Sequence, residues 1–219
     1  ILWDTACVSS DLYGEIEDYT VNVTNNVITW TGTQWINGTP DSAKAALIAG
    51  NLVVGTDFPN FEVGNLFVSS QGNLTIAAQQ KVTVNGLVYN LGNASNFIVN
   101  DGGNLVQTSN LSNIGDITVI KSSQPMRRLD YTMWSTPVVG QGLKAFSPET
   151  LWNRIYTYET SGYLQVFDSE DEVDKNFMNG FGYLFRSPND WSSTVATPFN
   201  GIFTGVPNNA SYSVLTSSG

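Results

Sequence analysis

A short word, Gly-Asn-Leu followed by apolar and β-branched residues, returns again and again through the first half of the chain. It stands at Gly50-Asn51-Leu52-Val53-Val54, Gly64-Asn65-Leu66-Phe67-Val68, Gly72-Asn73-Leu74-Thr75-Ile76 and Gly103-Asn104-Leu105-Val106. Val82-Thr83-Val84, Phe97-Ile98-Val99 and Ile117-Thr118-Val119 are runs of the same kind, bounded by Gly, Asn or Asp, with no helical apolar period between them. Leu66, Leu87 and Leu105 head comparable units, 21 and 18 residues apart. A recurrence near ~20 residues with turn residues at the corners is what a coiling β-chain needs. Residues 45–123 are therefore expected to form a short right-handed β-solenoid of three to four rungs, burying a column of Leu, Ile and Val. Asn and Gly are expected at its corners because they tolerate positive φ at low cost.

Longer solenoids often carry hydrolytic or lyase sites, where carboxylates and bases project together from adjacent rungs. Between residues 50 and 120 the acids are Asp57, Glu62, Asp101 and Asp116, and the sole base is Lys81. Histidine is absent from all 219 residues, which removes the commonest general base and metal ligand. No nucleophile–base set converges, so no catalysis and no cofactor is expected. Nine Lys and Arg against nineteen Asp and Glu leave a net charge of −10, which argues against nucleic acid or an anionic membrane as partner. No apolar run approaches the ~18 residues of a membrane span. One cysteine, Cys7, leaves no thiolate zinc site or internal disulfide framework; a buried thiol and a pairing with an upstream cysteine both stand.

The flanks differ in texture. Residues 1–23 close on Tyr19, Val21 and Val23 in alternation, a terminal strand. Residues 24–44 read as a linker and solenoid cap, with turn signals at Asn37-Gly38 and Pro40-Asp41. Trp30 and Trp35 within it have two readings, a sugar-stacking platform or a plug over the open end of the coil. Residues 124–219 carry aromatic-rich alternating runs such as Arg154-Ile155-Tyr156-Thr157-Tyr158 and Gly182-Tyr183-Leu184-Phe185-Arg186, divided by Pro, Gly and Asn. That is the pattern of an antiparallel β-sandwich. The fold class is all-β.

Few candidate sites emerge. Calcium is the one ion with ligands to offer: Glu15, Glu17 and Asp18 cluster in the terminal strand, and Asp168, Glu170 and Asp174 lie in the densest acidic run. The second run lacks the Gly at position six and the Glu at position twelve of an EF-hand loop, where Val173 and Asn179 stand. A solvated edge and a solvated loop are the alternatives. Arg127, Arg128 and Asp130 form the charge cluster at the solenoid–sandwich join. An Arg–Asp pair locking the two together is one reading; an anion or uronic-acid site is the other.

Gly14-Glu15-Ile16-Glu17-Asp18-Tyr19-Thr20-Val21, with Cys7 a few residues earlier, closely resembles the word that closes GEVED-type domains, β-sandwich modules of secreted Bacteroidota proteins. Residues 1–23 would then be the C-terminal end of such a domain. The run from Trp30 through Asn37-Gly38-Thr39-Pro40-Asp41, and the block from Met126-Arg127-Arg128-Leu129-Asp130-Tyr131 to Phe203-Thr204-Gly205-Val206-Pro207, resemble segments around the solenoids of large type IX-secreted surface proteins of that phylum. The resemblance implies an extracellular or outer-surface location, export by type IX secretion machinery, and a sandwich continuing past Gly219. It also implies a non-catalytic, adhesin-like spacer with interaction modules for extracellular glycans or surface proteins. Two alternatives stay open: an accessory region of a secreted protease or polysaccharide hydrolase, and a carbohydrate-binding module. Asp4-Thr5-Ala6 and Asp41-Ser42-Ala43 match the short O-glycosylation word of such proteins, which implies glycans on Thr5 and Ser42.

Overall fold

The computed structural model describes residues 27–159, 162–168, 173–209 and 211. The terminal strand at 1–23, its GEVED-like word and Cys7 lie outside them.

The first half is a three-sided coil. A lead-in hairpin, β1 (Val27–Trp30) and β2 (Trp35–Ile36), is followed by three complete rungs. They are β3 (Ala45–Ile48), β4 (Asn51–Val54) and β5 (Phe61–Val63); β6 (Leu66–Val68), β7 (Asn73–Ile76) and β8 (Lys81–Val84); β9 (Val88–Asn90), β10 (Phe97–Val99) and β11 (Asn104–Gln107). A fourth turn begins at Ile114, which bridges Tyr89, and continues into β12 (Ile117–Met126). The three faces are parallel ladders: β1-β3-β6-β9, β4-β7-β10-β12 and β5-β8-β11. Ala46 faces Leu66, a rise of 20 residues, and Leu74 faces Phe97, a rise of 23. Every second residue turns inward, so each face contributes two columns. Leu52, Leu74, Phe97 and Ile117 make one, and Val54, Ile76, Val99 and Val119 another, all at most 5% exposed.

The solenoid expectation holds, but two details of it do not. Leu66, Leu87 and Leu105 are not equivalent positions. Leu66 pairs with Val88 on the first face, and Leu105 pairs with Val82 on the third. The Gly-Asn-Leu word occurs on all three faces, so spacings between copies mix one-third and whole turns. The asparagines also do a different job from the one expected. Among the described residues, positive φ inside the rungs falls on Gly55, Gln79 and Gly102, not on Asn51, Asn65 or Asn73. Those asparagines work through their side chains. Asn73 donates to Asn51 Oδ1 at 2.8 Å, and Asn96, buried above them, donates to the Gly72 carbonyl at 2.7 Å. Asn65 Oδ1 accepts from the Leu87 amide at 2.9 Å, and Asn113 Oδ1 from the Val88 amide at 2.9 Å. Corner amides thus satisfy backbone groups of the neighbouring rung that no strand reaches.

The lower end of the coil is plugged. Trp30 is 2% exposed, and its indole N–H donates to the Asn51 carbonyl at 2.6 Å. Trp35 packs edge-on to Trp30 at 5.5 Å, with Phe58 and Phe61 at 5.8 and 5.7 Å.

The upper end converts into the sandwich. In the first three rungs the second-face strand is followed within three residues by Gly55, Gln79 or Gly102 at positive φ, and the chain turns the corner. After Val119 come Ile120 and Lys121, which lack positive φ, and β12 runs straight on for ten residues in all. One edge of β12 is parallel to β10; the other is antiparallel to β18 (Thr197–Pro207) along most of its length. The join expected at 123–124 thus falls within a single strand. β13 (Tyr131–Trp134), β14 (Val138–Val139), a one-turn helix α1 (Leu143–Phe146), β15 (Ile155–Glu159), β16 (Gly162–Gln165) and β17 (Tyr183–Arg186) complete the chain. β14 pairs with β18, extending the solenoid's second face to a six-stranded sheet, and β13-β17-β15-β16 form a separate antiparallel sheet. Aromatic rings fill the space between them. Phe146 stacks on Phe203 at 4.4 Å and meets Trp134, Phe177 and Phe185 edge-on at 5.1 to 5.5 Å. Such pairs each add ~0.5–1.5 kcal/mol beyond area burial.

Two substitutions test this architecture by urea denaturation. A Cβ at Gly72 would collide with the Ile48 carbonyl oxygen of the rung below, so Gly72→Ala is expected to cost about 1–3 kcal/mol through strand displacement. Trp30→Ala opens the plugged end and is expected to cost about 3–5 kcal/mol. An unchanged midpoint in either would overturn the corresponding packing role.

Candidate interaction surface

The sequence-derived candidates scatter over the molecule. Thr5, Glu15, Glu17, Asp18 and Glu170 lie outside the described residues. Ser42 is exposed on the corner before β3. Its backbone is fixed by its neighbours: the Asp41 carboxylate accepts from the Ala43 amide at 2.9 Å and pairs with Lys44 at 2.7 Å, and the Ser42 carbonyl accepts from Asn85. Hydrogen bonding to Lys44 holds the Asp41 carboxyl below its usual pKa. The Ser42 hydroxyl stands exposed on a short, hydrogen-bonded turn.

Trp30 and Trp35 sit together in the aromatic plug. Trp30 has no free ring face at 2% exposure, and Trp35 is half-buried with its indole nitrogen enclosed and unpartnered among the described residues. Asp174 is a helix cap. Its carboxylate accepts from the amides of Lys144 and Ala145 at 2.8 and 3.0 Å and from its neighbour Lys175 at 2.8 Å. Those bonds offset the missing partners at the start of α1. Asp168 and Asp174 join no cluster of three potential ligands among the described residues.

The Arg–Asp lock expected at 127–130 is replaced by a backbone arrangement. Asp130 accepts from the Arg127 amide at 2.7 Å, Arg127 Nε donates to the Thr194 carbonyl at 3.2 Å, and the Arg128 amide donates to Ser192. No guanidinium of these two arginines pairs with Asp130 among the described residues. The turn Met126–Tyr131 reverses the chain from one sheet into the next, and a short-range carboxylate–amide bond holds such a turn better than a long ion pair. Two of the four rung acids are likewise engaged: Asp57 accepts from the Val53 amide at 2.8 Å and Glu62 from Asn85 at 2.8 Å.

Lys144 is a half-buried cation in α1. It donates to the carbonyls of Pro148 and Thr150 and lies 5.0 Å from the Trp152 ring centre. Burial lowers its pKa against the opposing pull of Glu149 and Asp174. Its donors are spent on the loop that it braces.

Two surfaces remain that the sequence did not flag. The outer face of the four-stranded sheet carries Tyr131 beside Tyr156 at 6.1 Å and Tyr158 beside Tyr163 at 5.3 Å, with Met133 exposed on the edge strand β13. Burial and the adjoining Tyr156 raise the Tyr131 pKa, opposed by Arg154 and Arg186. The alternation of inward Ile155 and Thr157 with outward Tyr156 and Tyr158 was the available signal. The second surface is a concavity of about 430 Å³ at the solenoid–sandwich junction, between β11 and the ends of β14 and β18. Leu105, Ile117 and Val119 line its floor, and Gln107, Lys121, Thr136 and Asn208 its rim. The site lies where no described strand stacks on β11, so no local motif announces it.

No curated protein and no solved structure matches the chain. The model of one family matches residues 23–219, the lead-in hairpin, solenoid and sandwich together. The chain belongs to that family, described as Domain of unknown function (DUF8693).

Proposed function

We propose that this chain is a non-catalytic structural and adhesin-like segment of a large secreted or cell-surface protein, in which the solenoid is a stiff spacer and the sandwich an interaction module. The observation that carries this reading is β12, one strand that is both the last rung of the coil and a central strand of the sandwich sheet. A hinge between spacer and module would have to break hydrogen bonds on both its edges. Stacked parallel ladders resist bending for the same reason. The engagement of Asp57 and Glu62 in corner and inter-rung bonds supports a structural use of the rung acids.

The setting that fits is extracellular or at the outer cell surface, with export by type IX secretion machinery, a GEVED-type end at residues 1–23 and glycans on Thr5 and Ser42. That setting rests on the sequence resemblance. Partners would be extracellular glycans or surface proteins. A carbohydrate-binding role is the second reading, and the outward tyrosine pairs of the four-stranded sheet favour it over the enclosed tryptophans. Stacking on exposed aromatic faces is how such a surface would hold a sugar ring.

The spacer reading expects solenoid and sandwich to unfold together. A single calorimetric transition is expected, with amides of β7, β10 and β12 in one slow hydrogen-exchange class. Two resolved transitions, or fast exchange across 66–119, would overturn it. A change in tyrosine fluorescence on titration with polysaccharides, abolished by Tyr158→Ala with Tyr163→Ala, is the outcome expected of the second reading.

A further inference from the structure

The register of the four-stranded sheet sets two arginines level with each other on its outer face. Tyr131 of β13 lies opposite Arg186 of β17, and Tyr156 of β15 lies opposite Leu184. Residues directly opposite in an antiparallel pair share a face. Ile155 pairs with Phe185 and both turn into the aromatic core, so alternation sends Tyr156 and Arg186 outward. Arg154, one residue before Ile155, comes level with Arg186 on the side away from Tyr131. Burial raises the Tyr131 pKa while Arg154 and Arg186 both oppose it, so both charges lie near that phenol. The Tyr156 ring stands 6.1 Å from the ring of Tyr131, which is 40% exposed.

Neither charge is balanced. The chain carries nineteen Asp and Glu, yet among the described residues no carboxylate forms an ion pair with Arg154 or Arg186. Arg154 donates to the Asn153 carbonyl at 2.8 Å, and Arg186 Nη2 donates to Asn189 Oδ1 at 2.8 Å. Arg186 is only 8% exposed, and its Nε is enclosed without a partner among the described residues. A buried cation with an unmade donor is costly, and like charges level on adjacent strands repel. Lys144 shows the structural alternative, a cation whose donors are spent on the carbonyls of its own loop. An anion held by the two guanidiniums offsets both costs. A guanidinium presents forked donors that match a planar carboxylate, and the tyrosine beside it offers an exposed ring for stacking. A uronic acid carries both complements, a carboxylate and the pyranose ring that bears it.

We propose that Arg154 and Arg186, flanked by Tyr131 and Tyr156, bind the carboxylate of a uronic acid in an acidic polysaccharide. The proposal rests on the carbohydrate-binding reading above and gives the class of sugar. The guanidiniums take the carboxylate, the tyrosine rings take the pyranose, and Asn189 orients Arg186 from behind. A net charge of −10 repels polyanions at long range, so the attraction comes from a local cluster such as this one.

Isothermal titration calorimetry on the full chain, with tetragalacturonate, its methyl ester and cellotetraose as probes, tests this. Tetragalacturonate is expected to bind at least about tenfold more tightly than the other two, with an affinity that falls as salt is added. Arg154→Gln, at a half-buried side chain, is expected to weaken tetragalacturonate binding at least about tenfold. Arg186→Lys keeps the buried charge but loses the fork, and is expected to do the same, with circular dichroism checking its fold. Equal affinity for all three probes overturns the proposal and leaves the carbohydrate reading standing. Binding of none overturns the proposal and counts against that reading as well. A preference for tetragalacturonate that survives both Arg154→Gln and a folded Arg186→Lys overturns it too. So does tetraglutamate binding as tightly as tetragalacturonate, which would assign the arginines to acidic protein.

Discussion

A chain that coils into a triangle turns a corner every six or seven residues, and at each corner backbone groups point away from any strand. Buried polar groups left unpaired cost ~1–3 kcal/mol each. The coil therefore stands or falls on how its corners are satisfied. Here the answer is a set of asparagine amides reaching from one rung to the next: Asn51 to Asn73 to Asn96 at one corner, Asn65 and Asn113 at another. With those bonds made, the Leu, Ile and Val columns can close without water. The glycines beside the asparagines let successive rungs approach, since at Gly72 or Gly86 a side chain would meet the backbone of the rung below.

The same accounting explains where the coil stops. Gly55, Gln79 and Gly102 take the positive φ that bends the chain from second face to third. Ile120 and Lys121 follow Val119 at the comparable place inside β12, and β-branched Ile120 favours continuing the strand. Once β12 runs straight, its upper edge needs a partner, and β18 pairs with it from Ile117 to Met126. The four-stranded sheet then packs on this extension through Phe146, Phe177 and Phe203. Sandwich and solenoid are one hydrogen-bonded object at this strand.

Much of this was legible in the residues. The alternation of small β-branched runs with Gly and Asn pointed to stacked rungs, and the aromatic runs after Ser123 to antiparallel sheets. The register was not legible, because Gly-Asn-Leu serves all three faces and only pairing reveals that Leu66 meets Val88. The role of asparagine was misassigned for a related reason: tolerance of positive φ is a property of one residue, whereas a ladder from Asn51 to Asn96 is a property of three rungs. The Arg127–Asp130 pairing failed because opposite charges close in sequence signal an ion pair or a carboxylate-capped turn equally well. The junction groove had no signal at all. It is the shape left by a corner that the chain does not turn.

The asparagine ladder has a consequence for how such a chain can change over time. Asn51 and Asn73 occupy matching places 22 residues apart, and the bonds that each makes are to the rung beside it. A copied stretch of that length, inserted between them, would bring its own corner amides, its own inward column and its own glycines. Neither the tryptophan plug below nor β12 above would have to change. Span is therefore inherited as a count of identical units, and lineages carrying this fold can differ in reach while keeping the same two ends.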